Sequence, residues 1–202
     1  MIQGIINNFG SAVIAGYSAS VKLNNLVITS FTTIGNGVSN YTTQNTGANK
    51  FERVDEGFKA GLKMIWILCV PLVILYFFAG KQLMCLFIEN PSEQALSSGF
   101  IFLRILSPFY FIISSKLIAD GVLRGSGLMR RFIIATFTDL ILRVVFAFAL
   151  SETALGSTGI WCAWPIGWCV GVIMSITFYS KAKLNKEKEN EVSRLFTKNE
   201  YN

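Results

Sequence analysis

Residues 12–53 read AVIAGYSASVKLNNLVITSFTTIGNGVSNYTTQNTGANKFER, and the reading of this stretch decides the fold. It is long, contains no Pro, and carries a single charge, Lys22, before Lys50. For an uncharged run it is also polar, with Ser18, Ser20, Asn24, Asn25, Thr29, Ser30, Thr32, Thr33, Asn36, Ser39, Asn40, Thr42, Thr43, Gln44 and Asn45 spread through it. Leu23, Leu26, Val27 and Ile34 recur among them at helical spacings, which predicts an α-helix. Lipid does not accept so many amides and hydroxyls unless they face a cavity or other helices. The length and the number of amides favour a membrane helix with one wet side. Asn24, Asn25, Thr29, Asn36, Asn40 and Gln44 are the candidates to line that cavity. For any single residue, a Ser/Thr-rich helix–helix seam is the competing reading.

The composition supports a membrane setting. The 202 residues are 52% hydrophobic and 15% charged, with 17 Phe and 4 Trp, against about 25% charged residues in soluble domains. Mean hydropathy is +0.49. His is absent, which removes the commonest metal ligand and the usual proton shuttle near neutral pH. A Ser/His/Asp or Cys/His catalytic set is then impossible, and the sequence makes no case for an enzyme. Cys69, Cys85, Cys162 and Cys169 form no CxxC pair and lie in or beside apolar runs, so they read as free thiols packed as small apolar groups, with no metal or disulfide role.

Outward from the polar helix, residues 1–9 read as the last turns of a truncated helix and Gly10–Ser11 as a turn. The polar helix ends at Gly47, a plausible C′ residue. The run Met64–Gly80 reaches a bilayer-spanning length with its flanks and contains Pro71. Asn90-Pro91 signals a turn in the loop 81–93. Further spans are expected over 100–123 (with Pro108), 132–150 and 155–180, joined by RGSGLMRR (124–131) and a short loop at 152–157. The fold class is therefore all-α, a polytopic membrane helix bundle over residues 1–180, with a hydrophilic tail over 181–202.

With alternating helices, residues 49–63, 124–131 and the tail share one side of the membrane and hold thirteen Lys and Arg. The opposite loops hold only Lys81. The positive-inside rule places the basic side, and the C-terminus, in the cytoplasm of a cell-membrane protein. The net charge of +6 is then a topology signal, and no nucleic-acid partner is implied. Trp161, Trp164 and Trp168 near the outer end of the last span suggest an interfacial belt.

Four motifs in order resemble a known family: GSAVIAGYSASVKLNNL (10–26) with QNTGANKFERV (44–54), LRGSG (123–127), LRVVFAFAL (142–150) and GIWCAWPIGW (159–168). Together they are similar to the second six-helix lobe of MATE multidrug efflux transporters, entered late in the seventh helix. The resemblance implies Na⁺- or H⁺-coupled antiport exporting organic, often cationic, compounds. It implies no cofactor beyond the coupling ion, and a substrate cavity completed by a first lobe or a second copy. A lipid-linked saccharide flippase of the same superfamily and a non-transporting membrane fragment or scaffold are the alternatives.

Coupling needs a group whose charge changes inside the membrane, and an intramembrane carboxylate is such a candidate. Asp120 and Asp139 are the two here. Lys116 and Arg143 stand at i, i+4 to them, so structural ion pairing is the competing reading. Some members of the resembled family carry a cation-binding acid about ten residues before the LRG turn, a position that falls near the apolar Ile113. That family's second-lobe Na⁺ site therefore does not carry over. Lys22 and Arg104 either snorkel to the interface or line the cavity.

Overall fold

A computed structural model describes residues 10–88, 92–153 and 157–200, with side chains as far as Lys183. The expected stump at 1–9 and the Asn90-Pro91 turn lie outside the described residues. The described residues are helical with no strands: α1 Ser11–Gly47, α2 Phe51–Met84, α3 Glu93–Leu106, a 3₁₀ turn Ser107–Phe109, α4 Tyr110–Gly125, α5 Met129–Ser151 and α6 Ser157–Glu200. Among the described residues, four helical segments are long and apolar enough to cross a membrane: α2, α3–α4 taken together, α5 and the first part of α6. The 37 residues of α1 make a rod of about 55 Å, long enough to span but too polar to join that set.

The breaks follow local chemistry. α1 ends at Gly47 as expected, with Gly47 its last helical residue and not the one beyond the cap; the left-handed residue is Asn49 at φ 56°. Asn tolerates that region, and three consecutive N–H groups, from Ala48, Asn49 and Lys50, cap the last carbonyls of α1. The span expected over 100–123 is broken in two at Ser107–Phe109. Pro108 brings no N–H, and the Ser107 hydroxyl donates to the freed carbonyl of Arg104 at 3.2 Å. The RGSG turn is sharp because Gly127 adopts φ 76°, where a side chain would be strained.

Helix α1 packs on α2, α3 and α4, while α5 packs mainly on α6. Small residues set the α1–α4 distance. A Cβ on Gly121 would collide with the Gly35 carbonyl, and one on Gly35 would lie 2.9 Å from the Leu117 carbonyl. This is the close backbone approach that stabilises helix pairs in lipid. Gly121→Ala is therefore expected to destabilise the bundle by about 1–3 kcal/mol. Thermal melting in detergent measures this, and an unchanged transition would show that the seam has slack.

The tryptophans differ from expectation. Trp161 and Trp168 are buried in the core, so they form no lipid-facing belt. Trp161 stacks on Tyr17 with ring centroids 4.9 Å apart and meets Phe102 edge-on at 5.3 Å. These contacts wedge α6 against α1 and α3. At the basic end, Tyr179 Oη donates to Asp55 at 2.8 Å, and Lys59 and Lys183 pair with the same carboxylate at 2.7 and 3.1 Å. That contact ties α6 to α2.

Candidate functional site

The outer surfaces of the helices are not alike. Over residues 64–78 of α2 and 133–148 of α5 the exposed residues are apolar, among them Ile67, Ile74, Phe78, Phe137, Ile141 and Phe148. These are faces suited to hydrocarbon. On α1 the exposed residues include Lys22, Asn25, Thr29, Thr33, Asn36, Asn40 and Gln44. Their spacing of three or four places them on one stripe of the helix. Several hydroxyls near it spend their donor on their own helix: Thr33 Oγ1 donates to Thr29 O at 3.0 Å, and Ser30 and Thr43 do the same four residues back. Such bonding lets hydroxyls sit on a helix without outside partners. Asn36 accepts from Arg124 at 3.0 Å, which fixes the stripe at the basic end.

Five of the six lining candidates, Asn25, Thr29, Asn36, Asn40 and Gln44, lie on this open face. Asn24 does not. It is 1% exposed and its Oδ1 accepts from Tyr110 Oη at 3.0 Å. One residue along a helix turns the side chain by about 100°, so neighbouring Asn residues face opposite surroundings. Tyr76 Oη adds a bond to Leu23 O at 2.8 Å. The sequence reading did not single out either tyrosine.

The two acids are gathered into one buried cluster. Lys116 Nζ donates to Asp120 Oδ2 at 2.7 Å and stands 3.9 Å from Asp139 Oδ2. Arg143 Nη2 reaches both oxygens of Asp139, at 3.0 and 3.1 Å. Ser175 Oγ on α6 donates to the free oxygen of Asp120 at 2.6 Å. Lys116, Asp120 and Asp139 are buried. The guanidinium of Arg143 lies 4.7 Å from the Trp164 ring centroid.

Glycines on α6 make room for this. A Cβ at Gly167 would stand 2.6 Å from Asp139 Oδ1, and one at Gly171 would stand 2.6 Å from Lys116 Cε. Gly167, Gly171 and Ser175 repeat at intervals of four. That small-residue stripe was the sequence signal that could have pointed to a third helix in the cluster. Two acids and two bases balance, so the cluster is neutral as a unit. Both i, i+4 pairs form as their spacing suggests, and Lys116 joins them by standing between the two carboxylates.

The family model described as MatE matches residues 1–149. Among curated proteins, the chain is 24% identical over 196 residues to the probable multidrug resistance protein YoeA of Bacillus subtilis, covering 96% of this chain and 41% of that one. It is 26% identical over 182 residues to the probable multidrug resistance protein YpnP of the same organism, covering 90% and 38%. The chain thus spans about two fifths of the length of these relatives. Among solved structures, a crystal structure of MATE in the bent conformation superposes with a TM-score of 0.80 at 21% identity, covering 86% of this chain and 39% of that one. A MOP superfamily transporter from Pyrococcus furiosus, whose reverse polarity of binding pocket suggests a different function, superposes with a TM-score of 0.77 at 21% identity, covering 86% and 38%. At that identity the structural likeness speaks to the fold.

Proposed function

This chain belongs to the MatE family, and from that membership we propose that it forms one helical lobe of a multidrug transporter that exports organic compounds by ion-coupled antiport. The observation that carries the proposal is the contrast between helix faces. The open face of α1 from Lys22 to Gln44 is mostly polar, whereas the open faces of α2 over 64–78 and of α5 over 133–148 are apolar. A polar stripe of that length is stable in a membrane only beside water or another protein surface. Substrate cavities of secondary transporters lie between two such bundles. The stripe has many amides and one cation, Lys22. A pyrophosphate-bearing saccharide needs several free cations, while Lys116 and Arg143 are already paired. This supports organic drug-like substrates over a lipid-linked saccharide, and transport over catalysis.

The Lys116–Asp120–Asp139–Arg143 cluster is the candidate coupling site, with H⁺ favoured over Na⁺. Each carboxylate already holds a cationic side chain, so a Na⁺ would have to enter against two positive charges. A proton adds to one oxygen without needing a ligand shell. Protonating Asp120 releases Lys116 toward Asp139, and so links charge change to helix packing. The distribution of basic residues supports a cytoplasmic C-terminus in the cell membrane.

Cysteine accessibility tests the assignment of the faces. With Cys69, Cys85, Cys162 and Cys169 replaced by Ala, Thr29→Cys and Asn40→Cys in the membrane-inserted full-length transporter are expected to react with a water-soluble maleimide. Phe78→Cys and Phe137→Cys are expected to resist it. Equal reactivity at all four would remove the distinction between a wet wall and a lipid face.

A further inference from the structure

The ridge where α2 meets α3 carries two cations that lie outside the buried cluster. Lys81 Nζ on α2 stands 5.7 Å from the centroid of the Phe100 ring on α3. The Arg104 guanidinium on α3 stands 4.9 Å from the centroid of Phe77 on α2. The arrangement is reciprocal: each helix supplies one cation and one ring. The i, i+4 spacings Phe77–Lys81 and Phe100–Arg104 put the two cations about one turn apart along the ridge. Both cations are exposed. Around them Ile74, Phe78 and Ile101 are exposed as well, at 53%, 75% and 39%. Among the described residues, neither cation has a carboxylate within ion-pair distance.

An aromatic face attracts a cation but accepts none of its N–H hydrogen bonds in the ordinary sense. The five guanidinium donors and three ammonium donors are therefore not consumed by the rings, and the surface around them is apolar. Lys81 lies three residues before the end of α2 at Met84, close to where the helix leaves the membrane. Arg104 sits about one turn deeper, beside Phe77.

We propose that this ridge seats the phosphate of an anionic phospholipid, in the leaflet away from the basic loop at 124–131. Its phosphate bridges Lys81 and Arg104, with Arg104 able to grip two oxygens at once, and its acyl chains run down over Phe78 and Ile74. Charge complementarity selects an anionic lipid. Two unneutralised cations match a net negative headgroup, whereas phosphatidylcholine brings its own cation.

Mass spectrometry of the intact purified chain in detergent tests this, with phosphatidylglycerol and phosphatidylcholine added at equal concentration. The wild-type chain is expected to retain phosphatidylglycerol preferentially. Lys81→Gln/Arg104→Gln is expected to lower that preference on the order of tenfold, and Arg130→Gln at the basic end to leave it unchanged. Each single variant is expected to give an intermediate loss, which preserves the test if the double variant melts early. An unchanged preference in the double variant, or an equal loss in Arg130→Gln, overturns the site. Displacement of the lipid by inorganic phosphate at matched concentration would show an anion site indifferent to lipid, and would also overturn the proposal.

Discussion

Asp120→Asn and Asp139→Asn are each expected to remove most of the folded protein, and Lys116→Met combined with Asp120→Asn is expected to restore it. The cluster holds two acids and two bases, with side chains of Lys116, Asp120 and Asp139 4%, 4% and 6% exposed. Neutralising one acid leaves a buried positive charge without compensation, which costs about 3–5 kcal/mol. That is a large share of a domain's total stability of about 5–15 kcal/mol. Asp139→Asn is the worse of the two. Arg143 then loses both of its bonds to the carboxylate, while Lys116 keeps Asp120 at 2.7 Å. In Asp120→Asn, by contrast, Lys116 still has Asp139 at 3.9 Å to turn toward. Removing Lys116 and Asp120 together leaves Asp139 and Arg143 as a neutral pair, and a well-packed apolar replacement of an ion pair is often neutral in stability. Folded yield by size-exclusion chromatography and melting temperature measure all three variants. If the double variant is as poor as the single ones, shape and hydrogen bonding at Asp120 matter and charge balance does not. The double variant also separates folding from coupling. Within the full-length transporter it is expected to fold and yet lose ion-driven dye efflux. Normal efflux per folded molecule would place the coupling acid elsewhere.

The second large effect concerns transport itself. Expressed alone in a pump-deficient bacterial host, residues 1–202 are expected to leave sensitivity to cationic dyes unchanged. The polar stripe from Lys22 to Gln44 is about 33 Å long, and no helix among the described residues covers it. A cavity with a single wall holds no substrate away from water or lipid, and alternating access needs one bundle to rock against another. Full-length transporter in the same host is expected to confer resistance. Resistance from the chain alone, together with an Asn40→Cys crosslink between two copies, would show that a second copy supplies the missing wall.

Part of the buried cluster was legible in the sequence. The i, i+4 spacings of Lys116–Asp120 and Asp139–Arg143 announced two ion pairs, because residues four apart meet on a helix surface. Their merger was not legible. Asp120 meets Ser175 across 55 residues, Lys116 meets Asp139 on another helix, and glycines leave room for α6 beside both side chains. The aromatic motif GIWCAWPIGW misled for the same reason. Trp is amphipathic and suits both an interface and a core, and its burial depends on whether Tyr17 and Phe102 lie opposite.

By itself the sequence determined the all-helical membrane class, the positions of the apolar runs, the turn at RGSG and the polarity of α1. Each of these depends on residues near one another in the chain, through period, length and turn chemistry. Only the tertiary structure decided that Asn24 faces Tyr110 while Asn25 faces outward, that the span through Pro108 is two helices, and that four charges form one neutral unit. Those outcomes depend on which helices pack side by side and how each is rotated. Helix rotation is set by small-residue seams such as Gly35–Gly121, whose partners lie far apart in the chain. Periodicity alone sets that rotation loosely when polar residues such as Ser20, Asn24 and Thr42 are buried beside the apolar ones of the same helix.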